Sequence, residues 1–200
     1  MPNDLTPLVL WGGNDINPEY YKEKPLSYTQ RPLIVRDREE FYNAGEAIKQ
    51  GRPIIGICRG AQLLCILHGG SLYQHSQPHK QNHSIEAINP YTPNKELGAK
   101  NTYLFDQVSA SHHQIMKPAG KFEVLAWNPS PTKVWNNETE TEILEKAPEI
   151  VWWPETRCLG IQAHPEWGTA TDPFVRYVDK LLYMFKIEYS FKFRQAFHWI

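Results

Sequence analysis

The chain has 200 residues, the length of one ordinary domain, and its 21 Lys+Arg against 22 Asp+Glu leave a formal net charge of −1, so charge gives no case for binding nucleic acid or an anionic membrane. Hydrophobic residues are 41% and charged residues 22% of the chain, a globular balance, and no apolar run approaches the roughly 18 residues of a membrane span. Residues 1–5 lack the basic and apolar regions of a secretory signal, and three cysteines without a C-x-x-C pair (Cys58, Cys65, Cys158) point to neither a disulfide framework nor a zinc site; the expectation is a single cytoplasmic domain over residues 1–200.

Pro7-Leu8-Val9-Leu10-Trp11 is a short apolar run ended by Gly12-Gly13, which predicts a buried strand entering a tight turn. Asp37 followed by Glu40 has the spacing of a capping box, predicting a helix through Phe41, Ala44 and Ile48 that stops at Gly51. Pro53-Ile54-Ile55-Gly56-Ile57 predicts a second apolar strand. It passes through Cys58-Arg59-Gly60 into a helical stretch over residues 61–67, closed by Gly69-Gly70.

Residues 74–100 are polar and broken by Pro78, Pro90 and Pro93, which predicts loop with short strands. Residues 122–127 alternate as a half-buried strand does. Residues 149–153 and 158–163 predict two strands joined by a turn at Pro154. The last clear element is a helix with Asp172 as N-cap and Pro173 at its first position. Its apolar residues Phe174, Val175, Val178, Leu181, Leu182 and Phe185 share one face. Strands alternating with helices, then strands and a closing helix, predict an open α/β sheet.

Gly56-Ile57-Cys58-Arg59-Gly60 is a G-x-C-x-G sequence between a predicted strand and a predicted helix. Such an elbow strains its central residue and exposes the side chain above the sheet. The helix start there favours a thiolate, the Arg59 N–H is placed to stabilise an oxyanion, and the glycines leave room for the turn and for substrate. Read blandly, Cys58 is a small buried hydrophobe, as Cys65 and Cys158 are expected to be.

A cysteine nucleophile needs a histidine to accept its proton and a third group to fix that histidine's tautomer. Of eight histidines, His164 in His164-Pro165-Glu166 follows a strand, as Cys58 does. Both therefore face the crevice beyond the strand ends, with Glu166 able to fold back onto His164. His75, His79 and His83 are spaced four apart, a metal face if helical, but Pro78 breaks that helix and no metal is expected. Ser111-His112-His113-Gln114 reads as a substrate contact.

Taken in order, Gly12-Gly13-Asn14-Asp15-Ile16-Asn17-Pro18, Gly56-Ile57-Cys58-Arg59-Gly60-Ala61-Gln62, Ser111-His112-His113-Gln114 and Gly160-Ile161-Gln162-Ala163-His164-Pro165-Glu166 resemble the class I glutamine amidotransferase-like hydrolases, in particular the γ-glutamyl-γ-aminobutyrate hydrolase (peptidase C26) branch. The resemblance implies a flavodoxin-like, mostly parallel sheet flanked by helices, with a shortened N-terminus. It implies Cys58, His164 and Glu166 as a triad and oxyanion-hole N–H groups from Gly13 and Arg59. It puts Gln62, Ser111 and His112 against a small-molecule γ-glutamyl substrate, with no metal and no cofactor. Cys58-Arg59-Gly60 differs from the Cys-Leu-Gly elbow of ammonia-delivering glutaminase subunits, which favours a free-standing hydrolase. Ser109-Ala110 departs from the Asn-Ser that the family often carries. A glutaminase serving a synthetase, or a catalytically silent binding module, are the alternatives. The strand over residues 8–11 is expected to lie at an open sheet edge, a liability that proteins cover. The tail residues Tyr189, Phe191, Phe193, Phe197 and Trp199, or a second subunit in a homodimer, are the expected cover.

Overall fold

The apolar runs around Val9 and Ile55 become β1 (Leu8–Leu10) and β2 (Ile54–Ile57), paired in parallel with Leu10 opposite Gly56. The computed structural model describes residues 6–77, 82–89, 102–187 and 189. Between the two strands lies α1 (Ile34–Lys49), whose end is set by Gly51 at a φ of 68°, a left-handed conformation that glycine adopts without penalty. Helix α1 starts three residues before the predicted cap, so Asp37 is not an N-cap; it sits buried within the first turn.

Helix α2 (Arg59–Leu67) follows β2 directly, and short strands β3 (Ser71–Tyr73) and β4 (Ser76–Gln77) lead to β5 (His83–Ile88) and β6 (Thr102–Val108). Strands β7 (Ile115–Lys117), β8 (Glu123–Asn128), β9 (Thr132–Trp135), β10 (Thr141–Leu144), β11 (Ala147–Trp153) and β12 (Cys158–Ile161) precede the closing helix α3 (Asp172–Met184). Asp172 is the first helical residue and Thr171 occupies the cap, one position earlier than predicted.

The central sheet has seven strands in the order β1-β2-β12-β11-β8-β5-β6. Strands β1, β2 and β12 are parallel, whereas every pairing from β12 to β6 is antiparallel. The flavodoxin-like arrangement is thus a mixed sheet whose parallel part is confined to three strands. A parallel pair needs a long crossover; α1 supplies one between β1 and β2, but no helix lies among the described residues between β5 and β12, and those strands turn back as neighbours.

Both faces of the sheet are covered, which explains why β2 and β12 read as continuous apolar runs. Ile54, Val151, Trp153 and Cys158 pack under α1 and α2 with Ala44, Leu63 and Leu64. The alternate residues Ile55, Ile57, Trp152, Leu159 and Ile161 pack against Phe174, Val178, Leu181 and Leu182 of α3. The period-two split across β11 and β2 builds a three-layer molecule. Strand β1 is the outermost strand of the sheet, as expected. Of the tail residues expected to cover it, Tyr189 packs with the α3 core, and Phe191, Phe193, Phe197 and Trp199 lie outside the described residues. No helix among the described residues is long and apolar enough to cross a membrane.

Candidate active site

Cys58 occupies the single residue between β2 and α2, at φ 51° and ψ −106°. A non-glycine residue there carries strain of about 1–3 kcal/mol, which persists only when its surroundings hold it. Here they do: the Cys58 N–H donates to the Ile161 carbonyl at 2.7 Å and the Cys58 carbonyl accepts from the Gln62 N–H at 3.1 Å. Gly56 and Gly60 are needed for a reason other than substrate room. A Cβ on Gly56 would run into the Gly60 backbone, and one on Gly60 into the Leu10 carbonyl. The two glycines let α2 settle directly on β1 and β2.

The Cys58 side chain is nearly buried, and burial pushes its thiol up to about 12, opposed by the Arg59 N–H and reinforced by the Glu166, Glu149 and Asp15 carboxylates. The N–H donor at the helix start acts toward the thiolate, as the sequence leads one to expect, and burial acts against it. Desolvation of the anion outweighs the local N–H donors.

His164 lies just beyond β12, anchored by its N–H to the Ser109 carbonyl at 2.8 Å. Its Nδ1–H donates to Glu166 Oε1 at 2.8 Å, and its ring stacks on Trp167 with centroids 3.8 Å apart. That hydrogen bond leaves Nε2 as the basic nitrogen. Gly12, just past β1, lies close to both this ring and the cysteine. A Cβ there would lie 2.9 Å from His164 Cε1, 3.8 Å from its Nε2 and 3.5 Å from Cys58 Cβ. Cys58, His164 and Glu166 are thus brought together in space.

A cleft beside Cys58 is lined by the other predicted residues Gly13, Gln62, Ser111 and His112, together with Asp15 and Gln30. Gln62 Nε2 donates to the Gln114 carbonyl at 3.4 Å. The Arg59 side chain turns away from this cleft and is buried, paired with Asp37 and Glu40 of α1. Glu40 also accepts from Arg36 Nε at 2.8 Å, and Arg36 Nη2 donates to the Trp11 and Gly12 carbonyls at 3.0 Å each. The pair read as a capping box is in fact a carboxylate clamp between the Gly12-Gly13 turn and the cysteine elbow.

Asp15 is a residue that the sequence reading missed as a site residue. Buried beside the cleft, it accepts from His113 Nε2 at 3.1 Å, Gln114 Nε2 at 3.1 Å and the Gln30 N–H at 2.8 Å. His83 and His112, both partly buried, group with buried Glu149, with His83 Nε2 2.9 Å and His112 Nε2 3.7 Å from Glu149 Oε1. A glutamate opening the otherwise apolar run Ile150-Val151-Trp152-Trp153 was the available signal, because a buried carboxylate requires partners. Of the histidines spaced four apart, His75 stacks on Tyr28 at 4.0 Å, His79 lies outside the described residues, and only His83 joins this group.

The model of the family described as Peptidase C26 matches residues 2–166. Protein NtpR of Enterococcus hirae is 33% identical over 180 residues, covering 82% of this chain and 68% of its own. YvdE of Lactococcus lactis subsp. lactis, described as glutamine amidotransferase-like, is 29% identical over 176 residues, covering 84% of this chain and 68% of its own. Among solved structures, one described as a GMP synthase subunit from Thermoplasma acidophilum is similar in fold, with a TM-score of 0.53 at 17% identity over 90% of this chain and 70% of that one.

Proposed function

Because the chain belongs to the peptidase C26 family, we propose that it is a cysteine-dependent hydrolase that cleaves the γ-glutamyl amide bond of a γ-glutamyl-amine or γ-glutamyl-amino acid and releases glutamate. The observation that carries this reading is that Cys58 and His164 both lie close to Gly12, with the imidazole tautomer fixed by Glu166. The substrate is a small molecule, and the chemistry needs no cofactor.

His164 Nε2 takes the thiol proton as the Cys58 sulfur attacks the δ-carbonyl carbon, since burial keeps the resting thiol neutral. The carbonyl oxygen becomes an oxyanion that accepts from the Gly13 and Arg59 backbone N–H groups; losing one such donor costs about 10²–10³ in rate. The C–N bond then breaks, the protonated His164 gives its proton to the departing amine, and a thioester remains on Cys58. Water, deprotonated by His164, attacks the thioester and releases glutamate, and the proton returns to the sulfur. Gln62, Ser111 and His112 line the cleft that receives the glutamyl group.

The description of YvdE as glutamine amidotransferase-like supports a second reading, a glutaminase that passes ammonia to a synthetase partner. A panel of γ-glutamyl amides and free glutamine, assayed for glutamate release by the isolated chain, separates the two. The expected result is turnover of substituted amides without a partner and its loss in Cys58→Ala. Cleavage of γ-glutamyl amides at the wild-type rate by Cys58→Ala would overturn the mechanism; turnover of glutamine alone would favour the glutaminase.

A further inference from the structure

His83 and Glu149 have no role in the chemistry above, and the group they form with the cleft residue His112 leaves His112 Nε2 and one Glu149 oxygen without hydrogen-bond partners. The ligating atoms of the three residues all lie within 4.8 Å of one another. His112 Nδ1 faces the Gln114 carbonyl at 3.2 Å; a carbonyl only accepts, so Nδ1 carries the hydrogen. His112 Nε2 has no hydrogen-bond partner and is 3.7 Å from a carboxylate oxygen of Glu149, whose other oxygen is also unpartnered. The side chains are 8% and 2% exposed, so water does not solvate these atoms freely. Buried polar atoms left without partners are unfavourable, and a cation between His112 Nε2 and Glu149 would satisfy both.

We infer that His83, His112 and Glu149 form a binding site for a divalent transition-metal ion of the zinc type. Two imidazoles and a carboxylate are a set that zinc accepts, with one position left for water. Bonds of about 2.0–2.1 Å require ligand atoms about 3.4 Å apart in a tetrahedron; the observed separations of 2.9 and 3.7 Å from Glu149 Oε1 straddle that value. The Gln114 carbonyl on His112 Nδ1 is the outer hydrogen bond that orients a metal-bound histidine. On binding, neutral His83 carries its hydrogen on Nδ1 and offers Nε2 as the ligand, and the ion occupies the space between His83 Nε2, His112 Nε2 and Glu149. His112 also lines the cleft beside Cys58, so the ion would hold one wall of that cleft in place. The ion departs from the expectation, read from the sequence, of no metal.

The test is calorimetric titration of zinc chloride into the full chain carrying Cys58→Ala, which removes the competing thiol of the cleft. The expected result is one zinc per chain, with affinity weakened at least tenfold in Cys58→Ala/Glu149→Gln and in Cys58→Ala/His83→Gln. Cobalt in place of zinc should give the visible absorption of a tetrahedral nitrogen–oxygen site in Cys58→Ala and not in the double variants. Far-UV circular dichroism identifies folded variants, and either substitution suffices. No zinc uptake by Cys58→Ala, or uptake unchanged in a folded double variant, would overturn the site. Neither readout depends on hydrolysis, so this proposal and the proposed function stand or fall separately.

Discussion

At the scale of single residues, the protonation of Cys58 in the resting protein decides how the proposed chemistry begins. A sulfur at a helix start is ordinarily read as activated, but this one is enclosed and surrounded by carboxylates, and its pKa is pushed up to about 12. The proton must then move to His164 during attack rather than before it. Alkylation of Cys58 by iodoacetamide in substrate-free protein should therefore be slow at neutral pH. It should rise about tenfold per pH unit from 7 to 9, because the thiolate fraction does so below the pKa. Mass spectrometry of the Cys58 peptide reads this directly; a rate already level at pH 7 would mean that a thiolate is present at rest. The position of the cysteine was legible because G-x-C-x-G between a strand and a helix has one common geometry. Its protonation was not, because desolvation depends on what packs over the sulfur, and that comes from distant parts of the chain.

Elements, rather than side chains, explain why Arg59 is where it is. Its backbone N–H belongs to the start of α2, while its guanidinium runs back to Asp37 and Glu40 on α1 and is 2% exposed. Removing one partner of a buried ion pair strands the other charge and costs about 3–5 kcal/mol. Arg59→Met should lose that much stability in urea unfolding. A loss under about 1 kcal/mol would mean that the carboxylates are satisfied without it. The sequence spacing of Asp37 and Glu40 was read as a helix cap because capping and clamping both place carboxylates three residues apart near a helix start. Only the arrival of Arg36 and Arg59 distinguishes them, and that contact spans 22 residues for Arg59 and Asp37. The strands and helices themselves were legible from their apolar periodicity. Strand direction beyond β12 was not, since an apolar run reads alike whichever neighbour it pairs with.

Across the whole molecule, all three cysteines are buried and their thiols are pushed up to about 12, in each case chiefly by desolvation. In the unfolded chain they ionise near the usual value of about 8.5. Above that pH the unfolded state holds fewer protons than the folded one, so stability falls as pH rises. The thiol contribution is fully present below about pH 8.5 and is lost as pH climbs toward 12. Urea midpoints measured at pH 8, 9.5 and 10.5 should decline, and less steeply in Cys65→Ala/Cys158→Ala. An identical slope in that variant would show that the thiols are not the source. The three-layer plan also sets where loops gather, and the cleft lies where the parallel strands β1 and β2 end.

Leu10, Gly56 and Gly160 stand side by side across β1, β2 and β12, and the Gly12-Gly13 turn, Cys58 and His164 each follow shortly after one of them. Neighbouring strands are about 4.8 Å apart, so backbone pairing itself acts as a ruler. In the proposed chemistry the attacking sulfur then has its charge-stabilising amide on one flank and its proton acceptor on the other, at a pitch that no side chain has to measure. Insertions in the loops leave this calibration untouched, whereas slipping either of these neighbours of β2 by one residue would move its part out of line with the sulfur.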